Sequence, residues 1–339
     1  MIKVEHAVRG DAMRGLAKSG VMNLDGAVHV LNEHSNRGKR SIGIDIDDLR
    51  AQNPRIIYAR GTSFGVRGPD ANRGGYDMTS FWCRAGNAGS ATPVELEGAL
   101  QQPGPAWGDS VSGMFMAGGI STALLKLERT GEPSVVDVSL LSSGGWALSA
   151  GIALALQQDS AWTTPMPGKP MGSNSLVGIH RTRDDRYISL VMLQAAYYWS
   201  DFCQHIDRPD LIEDDRFETS QKLTSNSDVA IAIIAGELSK KTLAEWTERF
   251  QTLKGQWAPV QNTLDFPLDS QVRANGYVAR TTTREGVEFD LVAPPVQFDE
   301  TPTPTRRAPE FNEHGDEILQ EIGLDMDRII ELRMRGAIT

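Results

Sequence analysis

Apolar side chains along this chain fall into short β-branched runs separated by polar and glycine-rich breaks. Runs at Ala27 to Leu31, Ser41 to Ile46, Arg55 to Tyr58, Val135 to Leu140 and Tyr187 to Met192 predict strands. Between Ser112 and Thr130 the period changes. Met114, Ala117, Ser121, Leu124 and Leu125 recur at helical spacing, Lys126, Glu128 and Arg129 close the last turns, and Gly131 stops the helix. A strand follows almost at once. This alternation predicts an α/β protein with a mostly parallel sheet carrying helices on its faces.

The texture changes near Thr163 to Ser175 (TTPMPGKPMGSNS), which reads as a linker or lid. Beyond it Tyr197, Tyr198, Trp199 and Phe202 crowd one segment, expected to be core. Leu238 to Phe250 predicts an amphipathic helix. A proline-rich stretch, Ala293 to Pro309, leads to a last helix from about Gly315 to Arg335. One spacing is awkward: the runs ending at Ile46 and starting at Arg55 leave too little chain for a parallel crossover, which needs roughly 10–12 residues or more. Either the two strands form a hairpin or a segment that belonged between them is absent.

Composition narrows the function. The 339 residues carry 34 basic and 44 acidic side chains, a formal charge of −10. That balance argues against nucleic acid, which calls for a concentrated positive face. Two cysteines, Cys83 and Cys203, build no disulfide framework and fit a cytoplasmic protein. The opening MIKVEHAVRGD lacks the apolar core of a signal peptide, and no stretch approaches ~20 uninterrupted apolar residues, so no membrane partner is expected. The six histidines are scattered without metal-ligand spacing. No dinucleotide, P-loop or nucleophile-elbow pattern follows a strand.

Three segments remain as candidate chemistry. Gly108-Asp109-Ser110 precedes the long helix, where Asp109 reads either as a helix cap or as a carboxylate nucleophile at a positive helix terminus. Arg73-Gly74-Gly75-Tyr76-Asp77 reads either as a surface loop or as a glycine loop that brings backbone close to a ligand, with Tyr76 and Asp77 as polar handles. Asn36-Arg37-Gly38-Lys39-Arg40-Ser41 is a basic cluster at a strand start, either solvated or a holder of nucleotide phosphate.

Together and in order, NRGKRSIGIDI, GTSFGVRGPDANRGGYD, WGDSVSGMFMAGGISTALLKLERTG and VVDVSLLSS resemble the class III CoA-transferase family, which also holds formyl-CoA transferase, carnitine CoA-transferase and the α-methylacyl-CoA racemases. The similarity runs on to APEFNEHGDEIL and covers essentially the whole chain. It implies a large Rossmann-like CoA-binding domain over 1–165, a smaller α+β domain over 166–290, a tail over 291–339 returning to the large domain, and an interlocked homodimer.

The resemblance also implies a mechanism. Asp109 matches the nucleophilic aspartate, which forms an acyl anhydride and then an aspartyl-CoA thioester before a carboxylic acid acceptor leaves as the new acyl-CoA. Coenzyme A enters as part of the substrate, and no other cofactor is implied. Tyr76 and Asp77 match the active-site pair beside the nucleophile. His6, Arg40, Ile44, Asp45, Ile46, Gly74 and Gly75 fall where the family meets CoA. Racemases resemble G-H-D where this chain has Gly75-Tyr76-Asp77, and a phenol is a poor base at neutral pH. Transfer is therefore favoured over racemisation, with a non-catalytic CoA-binding paralogue as the other alternative. The family's opening strand with its A-G-P turn, and about 35 residues near Ile46 and Asp47, have no counterpart here. Its glycine-rich loop is reduced to Met171 to Ser175.

Overall fold

The computed structural model describes residues 53–169 and 172–338, together with the backbone of four short strands nearer the start of the chain. Those strands are β1 (Ile2–Glu5), β2 (Lys18–Ser19), β3 (Met22–Asn23) and β4 (Arg40–Gly43). Then come β5 (Tyr58–Thr62), a π-helical turn (Met78–Arg84), α1 (Asn87–Ala91), α2 (Trp107–Thr130), β6 (Val135–Ser139), α3 (Leu140–Ala147) and α4 (Ser149–Gln158). The middle of the chain holds β7 (Val177–Arg181), β8 (Tyr187–Val191), α5 (Ala195–His205), α6 (Ser220–Ser225), α7 (Ser227–Leu238), α8 (Leu243–Arg249) and β9 (Trp257–Pro259). Last are α9 (Ser270–Ala274), the hairpin strands β10 (Val278–Thr282) and β11 (Glu288–Val292), α10 (Gly315–Glu321) and α11 (Met326–Met334).

Contacts group these elements into two units. The first takes residues 1–62, 104–138 and 263–339; the second takes 63–103 and 139–262. The class is α/β, as expected, but the sheets are mixed. Among the described strands β1 and β4 pair in parallel, whereas β2 with β3, β7 with β8, β8 with β9, and β10 with β11 all run antiparallel. The hydropathy pattern misses this because a β-branched run marks a buried strand without stating its neighbour's direction.

In the first unit, α2 approaches β5 and β6 closely where one of the two facing residues is glycine. A Cβ on Gly119 would lie 2.7 Å from Val136 Cγ1, and one on Gly61 would lie 3.2 Å from Met116 Cε. The larger periodic residues, Met114, Leu124 and Leu125, stay 44 to 50% exposed within the single chain. The residues that recur at helical spacing thus do not all face inward. Instead, close backbone approach uses the glycine side. By length and composition α2 is long and apolar enough to cross a membrane, a test that core helices of other proteins also pass. The expected last helix is two, α10 and α11, separated at Gly323, whose φ of +93° suits glycine, and restarted by the Asp325 cap.

The second unit holds the larger described core. Ile188 and Leu190 of β8, Phe202 of α5, Ile234 of α7, Trp246 of α8 and the neighbouring Phe250 are almost fully buried together. The aromatic segment divides: Trp199 and Phe202 enter this core, and Tyr197 stays outside. Helix α8 begins at a capping box, in which Thr242 Oγ1 accepts from the Glu245 N–H while the Glu245 carboxylate accepts from the Thr242 N–H. His180 of β7 is buried too. Its Nε2 has no hydrogen-bond partner, and desolvation lowers its pKa to about 4.

Candidate active site

The glycine loop, Tyr76 and Asp77 form one continuous turn in the second unit. Past β5, Ser63 ties the start of this turn to its end. Its backbone carbonyl accepts from the Leu141 N–H at 3.0 Å, and its hydroxyl donates to the Gly75 carbonyl at 2.8 Å. Gly65 and Gly68 take φ values near +100°, which lets the intervening chain reverse. The Phe64 ring lies under the Arg84 guanidinium at 4.7 Å and the Arg73 guanidinium at 5.7 Å. Asp70 draws both arginines together, 2.5 Å from Arg84 and 3.9 Å from Arg73.

Gly75 is required by space rather than by φ. A Cβ there would lie 2.6 Å from Ser80 Oγ and 3.1 Å from the Phe64 ring. Gly74 is exposed with nothing within 4 Å of its Cβ position. Tyr76 then turns outward, 81% exposed, while its backbone carbonyl accepts from the N–H groups of Thr79 and Ser80. Asp77 turns inward and is 8% exposed. It caps the π-helical turn: Oδ1 accepts from the Met78 N–H at 2.8 Å, and Oδ2 accepts from Gln102 Nε2 at 3.0 Å. Such π-helical turns are rare and occur often at functional sites. The pair is therefore asymmetric, with Tyr76 offered to solvent and Asp77 engaged within the fold.

Asp109 stands on the first unit. Helix α2 starts at Trp107, earlier than the spacing predicts, from Ala106 in the left-handed region at φ 57° and with no side-chain cap. Asp109 is thus the third helical residue and not the cap. It is exposed, in the turn whose N–H groups lack intrahelical partners and where the helix dipole favours a negative charge. A carboxylate so placed is open to solvent, and the positive end of the helix dipole favours an oxyanion formed beside it.

Of the other expected CoA contacts, His6, Ile44, Asp45 and Ile46 lie outside the described residues. Arg40 opens β4, where its backbone pairs with Ile2, and its side chain also lies outside them. Met171 is likewise outside the described residues, so the loop expected at Met171 to Ser175 is described only from Gly172. Among the described residues no three His, Cys, Asp or Glu side chains gather as a metal site. Cys203 is buried, and its pKa is pushed up to about 12 by desolvation; Cys83 is exposed. Gln102 was missed by sequence reasoning because no spacing rule links it to a carboxylate 25 residues earlier.

A family model decides the class. CoA-transferase family III matches residues 42–315, most of the chain. The chain belongs to CoA-transferase family III. It is accordingly an enzyme of that class, similar to the cinnamoyl-CoA:phenyllactate CoA-transferase of Clostridium sporogenes, at 30% identity over 86% of this chain and 70% of the relative. It also resembles the (R)-2-hydroxy-4-methylpentanoate CoA-transferase of Clostridioides difficile, at 27% identity over 85% of this chain and 71% of that one. Among solved structures, a CAIB/BAIF family protein from Brucella suis superposes with a TM-score of 0.75 at 22% identity, covering 95% of this chain and 91% of its own. That last likeness speaks for the fold of this family III member, and the sequence relatives speak for CoA transfer.

Proposed function

We propose that this family III enzyme moves CoA from an acyl-CoA donor to a carboxylic acid acceptor with Asp109 as the covalent nucleophile. The supporting observation is the exposed Asp109 carboxylate in the uncapped first turn of α2. A carboxylate oxygen of Asp109 attacks the thioester carbonyl, the C–S bond breaks, and CoA leaves as the thiolate, giving a mixed anhydride. The thiolate attacks the aspartyl carbonyl and expels the donor's acyl group as a carboxylate, giving an aspartyl-CoA thioester. The acceptor carboxylate then displaces the thiolate from that carbonyl to form a second anhydride. The thiolate attacks its acyl carbon, releasing the new acyl-CoA and the free Asp109 carboxylate. Each step exchanges one acyl bond for another, and no proton or electron is gained or lost overall.

The exposed Tyr76 hydroxyl would be a hydrogen-bond donor to the acyl-CoA substrate. Coenzyme A would bind as substrate along a Rossmann-like domain, using the basic strand start at Arg40. The exposed Met114, Leu124 and Leu125 of α2, with the 69% exposed Trp146 of α3, support a homodimer in which a second copy covers them. The names of the two clostridial relatives make 2-hydroxy acids the first acceptors to try. The test is a transfer assay across donor thioesters and 2-hydroxy, dicarboxylic and short-chain acids. Labelled CoA appearing on an acceptor, and failing to appear with Asp109→Ala, is the expected result. Exchange of an α-hydrogen without transfer would assign racemisation instead.

A further inference from the structure

We propose that Gln102 is a positioning residue for CoA transfer, acting through Asp77 on the turn that presents Tyr76. The proposal rests on the reading of Tyr76 as an active-site residue, with Asp77 holding the turn that carries it.

The Asp77 side chain is buried, and a buried polar group needs hydrogen-bond partners. One donor is local, the Met78 N–H. The other, Gln102 Nε2, comes from 25 residues away and is the only side-chain donor to Asp77 among the described residues. Gln102 is itself held on the same unit by its neighbours. Trp82 Nε1 donates to the Leu100 carbonyl at 2.8 Å, and the Leu100 N–H donates to Thr92 Oγ1 at 2.9 Å. Thr92 Oγ1 in turn donates to the Ala88 carbonyl at 2.6 Å, back on α1. The segment carrying Gln102 is therefore fastened at both its own strand of contacts and at Asp77.

The same neighbourhood contains two polar atoms that folding alone does not satisfy. Among the described residues, Gln102 Oε1 and Ser80 Oγ are both buried without a hydrogen-bond partner. Ser80 lies one turn after Asp77 and against Gly75. An orphaned buried polar atom destabilises a fold, so stability alone favours satisfying or removing such groups. What the arrangement does achieve is direction. Oδ1 on the Met78 N–H and Oδ2 on Gln102 restrain the Asp77 side chain from both oxygens and so hold the backbone turn that begins at Tyr76.

The test uses the full chain and three variants, with steady-state transfer and thermal melts for each. Gln102→Glu keeps the shape, removes the donor and sets a second carboxylate against Asp77. It is expected to lower kcat by about 10- to 100-fold while KM for acyl-CoA stays within about twofold, the signature of misplaced reacting geometry. The double variant Asp77→Asn/Gln102→Glu exchanges donor and acceptor: the new amide at 77 donates to the new carboxylate at 102 and its oxygen still takes the Met78 N–H. It is expected to regain most of the lost kcat. Gln102→Leu removes the donor without adding charge, and it decides by the same kcat and KM split should the first variant fail to fold. Unchanged kcat in Gln102→Glu or Gln102→Leu, or a double variant no faster than Gln102→Glu at equal melting temperature, overturns the proposal. The CoA adduct of the unaltered protein, followed by intact mass, separates the two levels. Its presence with unaffected Gln102 variants removes the positioning role alone, and its absence removes the transferase reading and the positioning role with it.

Discussion

Gly75 occupies the one place in the glycine loop where any side chain would collide, with Ser80 Oγ 2.6 Å and Phe64 3.1 Å from the position of its Cβ. Gly75→Ala is expected to cost about 1–3 kcal/mol of stability in urea unfolding, since the buried helix start and the ring clamped beneath two arginines must both give way. His180 carries a second expectation. Its folded pKa is lowered to about 4 from an ordinary 6.5, so the unfolded chain binds the proton more tightly. Full stability is present above pH 6.5 and is lost as pH falls from there towards 4, by about 2 kcal/mol at pH 5. Urea melts at pH 7 and pH 5 check this: His180→Leu should show a smaller loss between the two than the unaltered protein. An equal loss in both would locate the acid sensitivity elsewhere. At this scale the sequence made Asp109, Tyr76 and Asp77 legible as polar residues in special local settings. It could not show that Asp77 points inward and Tyr76 outward. The inward Asp77 meets Gln102, and a contact spanning 25 positions leaves no periodic trace.

Helix α2 is where pattern and packing part company. Its stop at Gly131 is readable because a left-handed C-cap favours glycine, and φ is +75° there. Its start is not, because Ala106 supplies an uncommon left-handed residue in place of a Ser, Thr or Asp cap. Nor is its inner face, since glycine contributes nothing to an apolar stripe and yet permits the approach to β6. Gly119→Val would drive a branched side chain into Val136, whose Cγ1 already lies 2.7 Å from the Cβ position. It is expected to destabilise the protein by about 1–3 kcal/mol and, through the helix that carries Asp109, to slow transfer. A melting temperature equal to that of the unaltered chain would contradict the packing described for this helix. The β4 strand was readable from its β-branched run, but its parallel pairing with β1 joins residues some forty positions apart and lay beyond any local signal.

For the whole molecule, four motifs in order carried the family, and the family model bears that out across residues 42–315. The α/β class was legible from alternating periods, while the mixed sheet was not. The large exposed side chains of α2 and α3 predict a homodimer that survives dilution into the nanomolar range; a mass that falls to 37.0 kDa on dilution would count against it. The central claim is the covalent role of Asp109, and intact mass spectrometry after incubation with a panel of acyl-CoAs, with and without hydroxylamine, tests it most directly. The account predicts a CoA-sized adduct trapped by hydroxylamine as a hydroxamate at Asp109 and lost in Asp109→Ala. That variant should remain folded, at a cost of about 0.3–1 kcal/mol for the first-turn charge. An adduct that persists in Asp109→Ala, or a hydroxamate on a different carboxylate, would contradict it.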